Sequence, residues 1–200
     1  MKYNPDIHHR RSIRLKGYDY SKAGMYFVTI CCQNRQCIFG EIENGEMALN
    51  NFGKIASDEW VKLSEQYPNV LLDVFQIMPN HIHGIITLGD VGATLAVALN
   101  ENAIAQNNIA GTNQWAGASP APTRDVQTTK NTIGNIVGAY KSLVANKCLE
   151  IFKSKNEYMG KLWQRNYWEH IIRDEESYQR IANYIINNPI NWKNDKFFAE

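Results

Sequence analysis

Two apolar runs separated by three residues constrain this chain more than any other feature of it. Val70 to Ile77 and His81 to Leu88 are rich in β-branched side chains, with Met78-Pro79-Asn80 between them. Proline cannot donate to a sheet ladder and asparagine tolerates a turn, so the runs read as adjacent strands. In the second run the side-chain period of two puts His81 and His83 on one face. Ile82, Gly84, Ile86 and Leu88 take the other. Two imidazoles on one strand face can chelate one divalent ion, or stand as two solvated or core-satisfied histidines. A bare His-x-His does not decide between them.

The remaining elements follow from local pattern. Tyr26-Phe27-Val28-Thr29-Ile30 predicts a strand. Ile38 to Leu49 predicts a strand pair turned at Asn44-Gly45. Phe52, Ile55, Ala56, Trp60 and Leu63 recur at helical spacing, ending near Tyr67-Pro68. A second helix is marked by Ile133, Ile136, Val137, Tyr140, Leu143, Val144 and Cys148 on one stripe. Tyr140 lies in the middle of that stripe, as a packing residue would. Tyr167 to Ile172 predicts a strand, followed by a helix that opens on Asp174, Glu175 and Glu176 and stops at Pro189. The stretch from about 89 to 130 is crowded with Ala, Asn, Gln, Thr and Gly and reads as a long flexible insertion. This order implies an α+β fold, a ferredoxin-like antiparallel sheet with helices on one face. With 200 residues, one domain carrying an insertion is expected.

The net charge is only +1, so no whole-molecule field announces a nucleic-acid partner. The sign is unevenly spread, however. The first forty residues hold seven cations, among them Arg10, Arg11, Arg14 and Lys16, against Asp6 and Asp19. This basic arm, residues 1–22, could contact phosphates or be a solvated tail. Cys31, Cys32, Cys37 and Cys148 match neither a disulfide framework nor a zinc knuckle, which suggests reduced thiols and a cytoplasmic protein. No apolar run approaches the roughly 18 residues a membrane span needs, and no signal peptide is expected.

Tyr184 and Asn188 are four apart on the last helix and fall on the flank of its buried stripe of Tyr178, Ile181, Ala182, Ile185 and Ile186. They are placed to reach a neighbouring groove. A phenol whose ordinary pKa is near 10 is a weak nucleophile at neutral pH, so attack on a phosphodiester needs a cation at the phosphate. A phosphotyrosine bond conserves the energy of the broken linkage and permits rejoining.

Several separated segments, in order, resemble a known family. MPNHIHGII resembles the His-hydrophobic-His motif of HUH nucleases. WQRNYWEHIIRDEESYQRIANYIINNPINW resembles the C-terminal block of single-tyrosine (Y1) transposases, above all the REP-associated tyrosine transposases. RRSIRLKGYDYSKAGMYFVTICCQNRQCIFGEI and GNIVGAYKSLV extend the likeness to nearly all of the chain outside 89–130. The resemblance implies an HUH endonuclease domain with a divalent metal, Mg²⁺ or Mn²⁺, held by His81, His83 and Asn188. Tyr184, five residues before Pro189, would be the nucleophile. The implied partner is single-stranded or hairpin-forming DNA, cleaved and rejoined through a 5′-phosphotyrosine, by a monomer or a homodimer. Trp163, Arg165, Tyr167 and Trp168 combine aromatic surface and charge, which suits stacking on unpaired bases or burial in the sheet. Glu169 and His170 match a WEH segment of the relatives without an assigned role.

Two rival functions fit parts of this pattern. A domesticated DNA-binding protein would keep the fold without turnover, against which the intact His81, His83 and Tyr184 argue. A small metal-dependent hydrolase would need a third histidine or an acid beside the pair, and the sequence offers none nearby.

Overall fold

A computed structural model describes residues 14–15, 17–89 and 131–198. Arg10, Arg11, Lys16 and nearly all of the 89–130 insertion therefore lie outside the described residues, as does most of the basic arm. The elements run β1 (Gly24–Cys31), β2 (Gly40–Glu43), β3 (Glu46–Leu49), α1 (Asn51–Val61), α2 (Leu63–Gln66), β4 (Val70–Ile77), β5 (His81–Leu88), α3 (Ile133–Ser154), β6 (Trp168–Ile172) and α4 (Glu175–Ile186). Asn44 and Gly45, both at positive φ, turn the β2–β3 hairpin as a primed turn requires. Asn50 caps α1 by accepting from the backbone N–H groups of Phe52 and Gly53.

The main sheet is antiparallel in the order β4-β5-β1-β6. Alternation gives its central strands two different faces. Tyr26, Val28 and Ile30 of β1 and Ile82, Ile86 and Leu88 of β5 meet Ala56 and Trp60 of α1 and Ile136, Tyr140 and Val144 of α3 in the larger core. The opposite face carries a smaller core, Ile85 and Ile172 against Ile181, Ala182 and Ile185 of α4.

Helices thus cover both faces, and the expectation of helices on one face holds for α1 and α3 but not α4. The reason is local. Only Arg173 and Asp174 separate β6 from α4, and Asp174 caps the helix by accepting from the N–H of Ser177 at 2.7 Å. That short link folds α4 back over the face on which Ile172 points, burying its Ile181–Ile185 stripe there. The face chosen is also the one that His81 and His83 occupy.

Candidate metal and nucleophile site

His81 and His83 are fully buried. Their Nε2 atoms lie 3.0 Å apart. Each ring is oriented from behind. Asn80 donates through Nδ2 to the carbonyls of Arg35 (3.1 Å) and Phe197 (2.8 Å), which leaves its Oδ1 facing His81 Nδ1 at 2.8 Å. An amide oxygen only accepts, so His81 Nδ1 carries the proton and its Nε2 presents a lone pair. His83 Nδ1 pairs with Thr29 Oγ1 at 2.8 Å. Burial holds both imidazoles neutral, His81 down to about 4 and His83 well below the ordinary value. A neutral ring with a lone pair turned inward, as at His81, is the form in which histidine binds metals.

Tyr184 reaches this pair from α4. Its hydroxyl is 3.2 Å from His83 Nε2 and donates to Asp195 Oδ2 at 2.9 Å. Its ring meets Phe27 edge-on at 6.3 Å. Asn188, just past the end of α4, donates through Nδ2 to the same Asp195 oxygen at 2.7 Å. Asn188 is buried and its Oδ1 has no hydrogen-bond partner. An orphaned buried carbonyl oxygen costs about 1–3 kcal/mol unless something fills its lone pairs, and a hard cation does so. The four sequence-derived residues His81, His83, Tyr184 and Asn188 are therefore brought together.

Asp195 is the member that sequence reasoning missed. It follows the short 3₁₀ turn Trp192–Asn194, and Trp192 and Phe197 pack on the His81 ring at 5.9 and 4.7 Å. Those aromatic contacts fold the C-terminal segment back across the site. His81, His83 and Asp195 each offer a ligand atom within 4.8 Å of the others. The carboxylate also serves three donors, Tyr184, Asn188 and the N–H of Phe197. Burial and the adjacent carboxylate push the Tyr184 phenol well above its ordinary value. Hydrogen bonds from Phe197, Asn188 and Tyr184 overcome the desolvation of Asp195 and hold its pKa below the usual carboxylate value.

A groove of about 330 Å³ opens on Tyr184, Asn187, Asn188, Asn194, Asp195 and Lys196. Lys196 stands at its rim with Arg35 beside it. Arg35 lies over the Phe197 ring at 5.9 Å and donates to the Lys196 carbonyl, and Lys196 lies over the same ring at 4.8 Å. Both depress the pKa of His81.

The expected DNA-contacting residues divide. Trp163 and Tyr167 are buried in the larger core, so neither is a free stacking surface. Trp163 donates from Nε1 to the Lys141 carbonyl at 2.9 Å, and Tyr167 accepts from Arg14 at 3.0 Å. Arg14 also faces the buried carboxylate of Glu169 at 3.7 Å. Arg165 and Trp168 are exposed. Arg14 and Arg165 border a separate cavity of about 670 Å³ along α3.

An antiparallel sheet with a paired-histidine strand, faced by a tyrosine from a helix, can be set beside known proteins. No family model matches the chain. It is 42% identical over 202 residues to an uncharacterised protein of Haemophilus influenzae, covering 100% of this chain and 98% of that one. A second Haemophilus influenzae protein, provisionally named a REP-associated tyrosine transposase, is 23% identical over 173 residues, or 86% of this chain and 73% of its own. The solved structure of a REP-associated tyrosine transposase bound to a REP hairpin shares the fold. Its TM-score is 0.54 at 17% identity, over 90% of this chain and 74% of that one. In sequence and in fold, then, the chain is similar to REP-associated tyrosine transposases.

Proposed function

We propose that this chain is a metal-dependent nicking and rejoining enzyme for single-stranded, hairpin-forming DNA, with Tyr184 as its nucleophile. The carrying observation is the position of the Tyr184 hydroxyl, 3.2 Å from a buried, neutral histidine pair and hydrogen-bonded to Asp195. The choice of hairpin DNA draws on the related transposase solved with a REP hairpin.

The donor set fits a divalent ion. His81 Nε2, His83 Nε2 and Asn188 Oδ1 would hold it, with Asp195 within reach as a fourth ligand. Mg²⁺ or Mn²⁺ bound there would supply the charge that polarises a scissile phosphate. The protein's own groups do the rest. Arg35 and Lys196 draw the phosphate to the groove. Tyr184 releases its proton along the hydrogen bond to Asp195 as its oxygen attacks phosphorus. The new bond is a 5′-phosphotyrosine, the broken bond is P–O3′, and the departing 3′-oxygen leaves as a hydroxyl after taking up a proton. Reversal by an incoming 3′-hydroxyl rejoins the strand without ATP. Four free cysteines accord with a cytoplasmic setting.

The test is incubation of labelled single-stranded hairpin DNA with the protein and Mn²⁺, resolved on denaturing gels. A covalent protein–DNA species is expected for wild type and not for Tyr184→Phe, which loses one hydroxyl and should still bind DNA. A covalent species that survives in Tyr184→Phe would remove the tyrosine from this role.

A further inference from the structure

The face of the sheet that carries the histidines continues past them, and its far part is open. Strand register lays out the rows. His83 pairs with Thr29 and Thr29 with Trp168, while Ile85 pairs with Phe27 and Phe27 with His170. Directly paired residues share a face, so Trp168 and His170 project on the same side as His83, two strands away, or about 10 Å at the usual strand spacing. Thr29, the residue between, is the one that holds His83 Nδ1. Phe27, in the next row, touches both the His83 ring (5.4 Å) and the Tyr184 ring (6.3 Å).

α4 packs chiefly against β4 and β5, and Ile172 is the β6 residue that joins its apolar cluster. Trp168 is consequently 55% exposed and His170 is exposed too. A large indole left in water beside a site of phosphodiester chemistry is the anomaly that needs a reason, because tryptophan surface is ordinarily spent in cores or interfaces. The surrounding charge suits a polyanion. Arg165 and Arg173 bracket the strand and are exposed, and the sole acid between them, Glu169, points to the opposite face toward Arg14.

We infer that Trp168 and His170 form the subsite for the nucleotide adjoining the scissile phosphate: Trp168 stacks on its unpaired base and His170 offers a ring N–H to the base edge or the neighbouring phosphate. This rests on the nuclease reading above and adds to it where the flanking single strand lies. Phe27, which meets the Tyr184 ring, pairs directly with His170, and Trp168 stands one row further along the same face, so aromatic groups run from the nucleophile toward the sheet edge, as single-strand binders use.

A random-sequence single-stranded DNA pool substituted with 5-iododeoxyuridine serves as the probe, since no sequence need be known. Ultraviolet crosslinking followed by trypsin should place the adduct on the peptide Asn166–Arg173, at Trp168. Stacking contributes about 1–3 kcal/mol per base, so Trp168→Ala should weaken single-strand binding about 5- to 150-fold. Trp168→Phe, which keeps an aromatic face, should restore most of it, and thermal melting of both variants should match wild type because the ring is exposed. His170→Ala should weaken binding less. An adduct mapped elsewhere, with Trp168→Ala binding as wild type while Tyr184 still forms its covalent species, overturns the subsite and leaves the nuclease reading standing. Preferential crosslinking of an equivalent RNA pool, or capture of a peptide strand on the β6 edge instead, overturns it as well. A protein that neither binds single strands nor forms the Tyr184 species overturns both.

Discussion

Gly84→Ala tests the reasoning about how one strand serves a core and a site at once. Gly84 sits beside His83 on β5 and faces the opposite way, under Trp60. A methyl group built there would lie 2.3 Å from Trp60 Cζ2 and 2.8 Å from Cη2. Comfortable carbon contacts are about 3.5–4.0 Å, so the indole must retreat by more than about 1 Å. It has nowhere to go. Trp60 is fully buried, stacked on Phe75 at 5.8 Å and met edge-on by Tyr140 at 5.3 Å. Overpacking of this kind costs about 1–3 kcal/mol, and the reduced freedom of the unfolded chain returns about 0.4–1 kcal/mol. A net loss of about 1.3 kcal/mol is expected, which lowers the melting temperature by roughly 3–5 °C for a domain of this size. Urea unfolding followed by circular dichroism gives the value. Trp60→Phe removes the ring atoms that clash, so the double variant should be less unstable than the sum of the singles by about 1 kcal/mol or more. Gly84→Ala as stable as wild type would refute the argument.

Three further outcomes are expected. In the metal-free protein with EDTA present, stability should fall as pH drops from about 6.5 toward about 4, by on the order of a few kcal/mol. The unfolded chain takes up protons in that window that His81 and His83, with lowered pKa values, refuse. His81→Gln should flatten the curve, and a pH-independent unfolding midpoint would count against neutral buried rings. Mn²⁺ should raise the melting temperature of wild type, by the equivalent of about 2.7 kcal/mol at a hundredfold excess over Kd. Asn188→Leu should show less of that rise and His83→Ala none; equal shifts in all three would place the ion elsewhere. Tyr140 donates to the Ala56 carbonyl at 2.8 Å inside the core. Tyr140→Phe should therefore cost about 1 kcal/mol of stability and leave nicking unchanged, whereas a nicking defect in the folded protein would point to a second tyrosine in the chemistry.

The parts of this site that were legible in the sequence are those fixed by backbone period. The alternation of β5 put His81 and His83 together, and the four-residue spacing brought Asn188 toward Tyr184, although the helix ends at Ile186 and Asn188 sits in the turn after it. Asp195 was not legible, because no period connects it to either. It arrives by a 3₁₀ turn after Pro189 and is seated by the packing of Trp192 and Phe197 on His81, which are tertiary contacts. The side of the sheet taken by α4 was equally hidden, since an amphipathic stripe says that a face is buried and not against what. The aromatic segment was half legible. Composition made Trp163, Tyr167 and Trp168 look alike, but the period of two already separates Tyr167 and Glu169 from Trp168 and His170. The first pair turns to Arg14 and the larger core, the second to the open face.

The same period explains why the site can be buried without being part of the core. Along β1 and β5 every second side chain, Val28, Ile30, Ile82 and Ile86, is apolar and supports α1 and α3. The alternate positions, Thr29, His81 and His83, are as buried but polar, and an interior tolerates such groups only when each is satisfied. Asn80 and Thr29 satisfy the outer nitrogens, the inner ones lie 3.0 Å apart, and Asn188 Oδ1 is left without a partner. Burial of the imidazoles thus stabilises their neutral state, with His83 Nε2 3.2 Å from the Tyr184 hydroxyl. A change on the core side of these strands should move stability, and a change on the other side should move chemistry; Gly84→Ala and His83→Ala, one residue apart, are the pair in which the two effects separate.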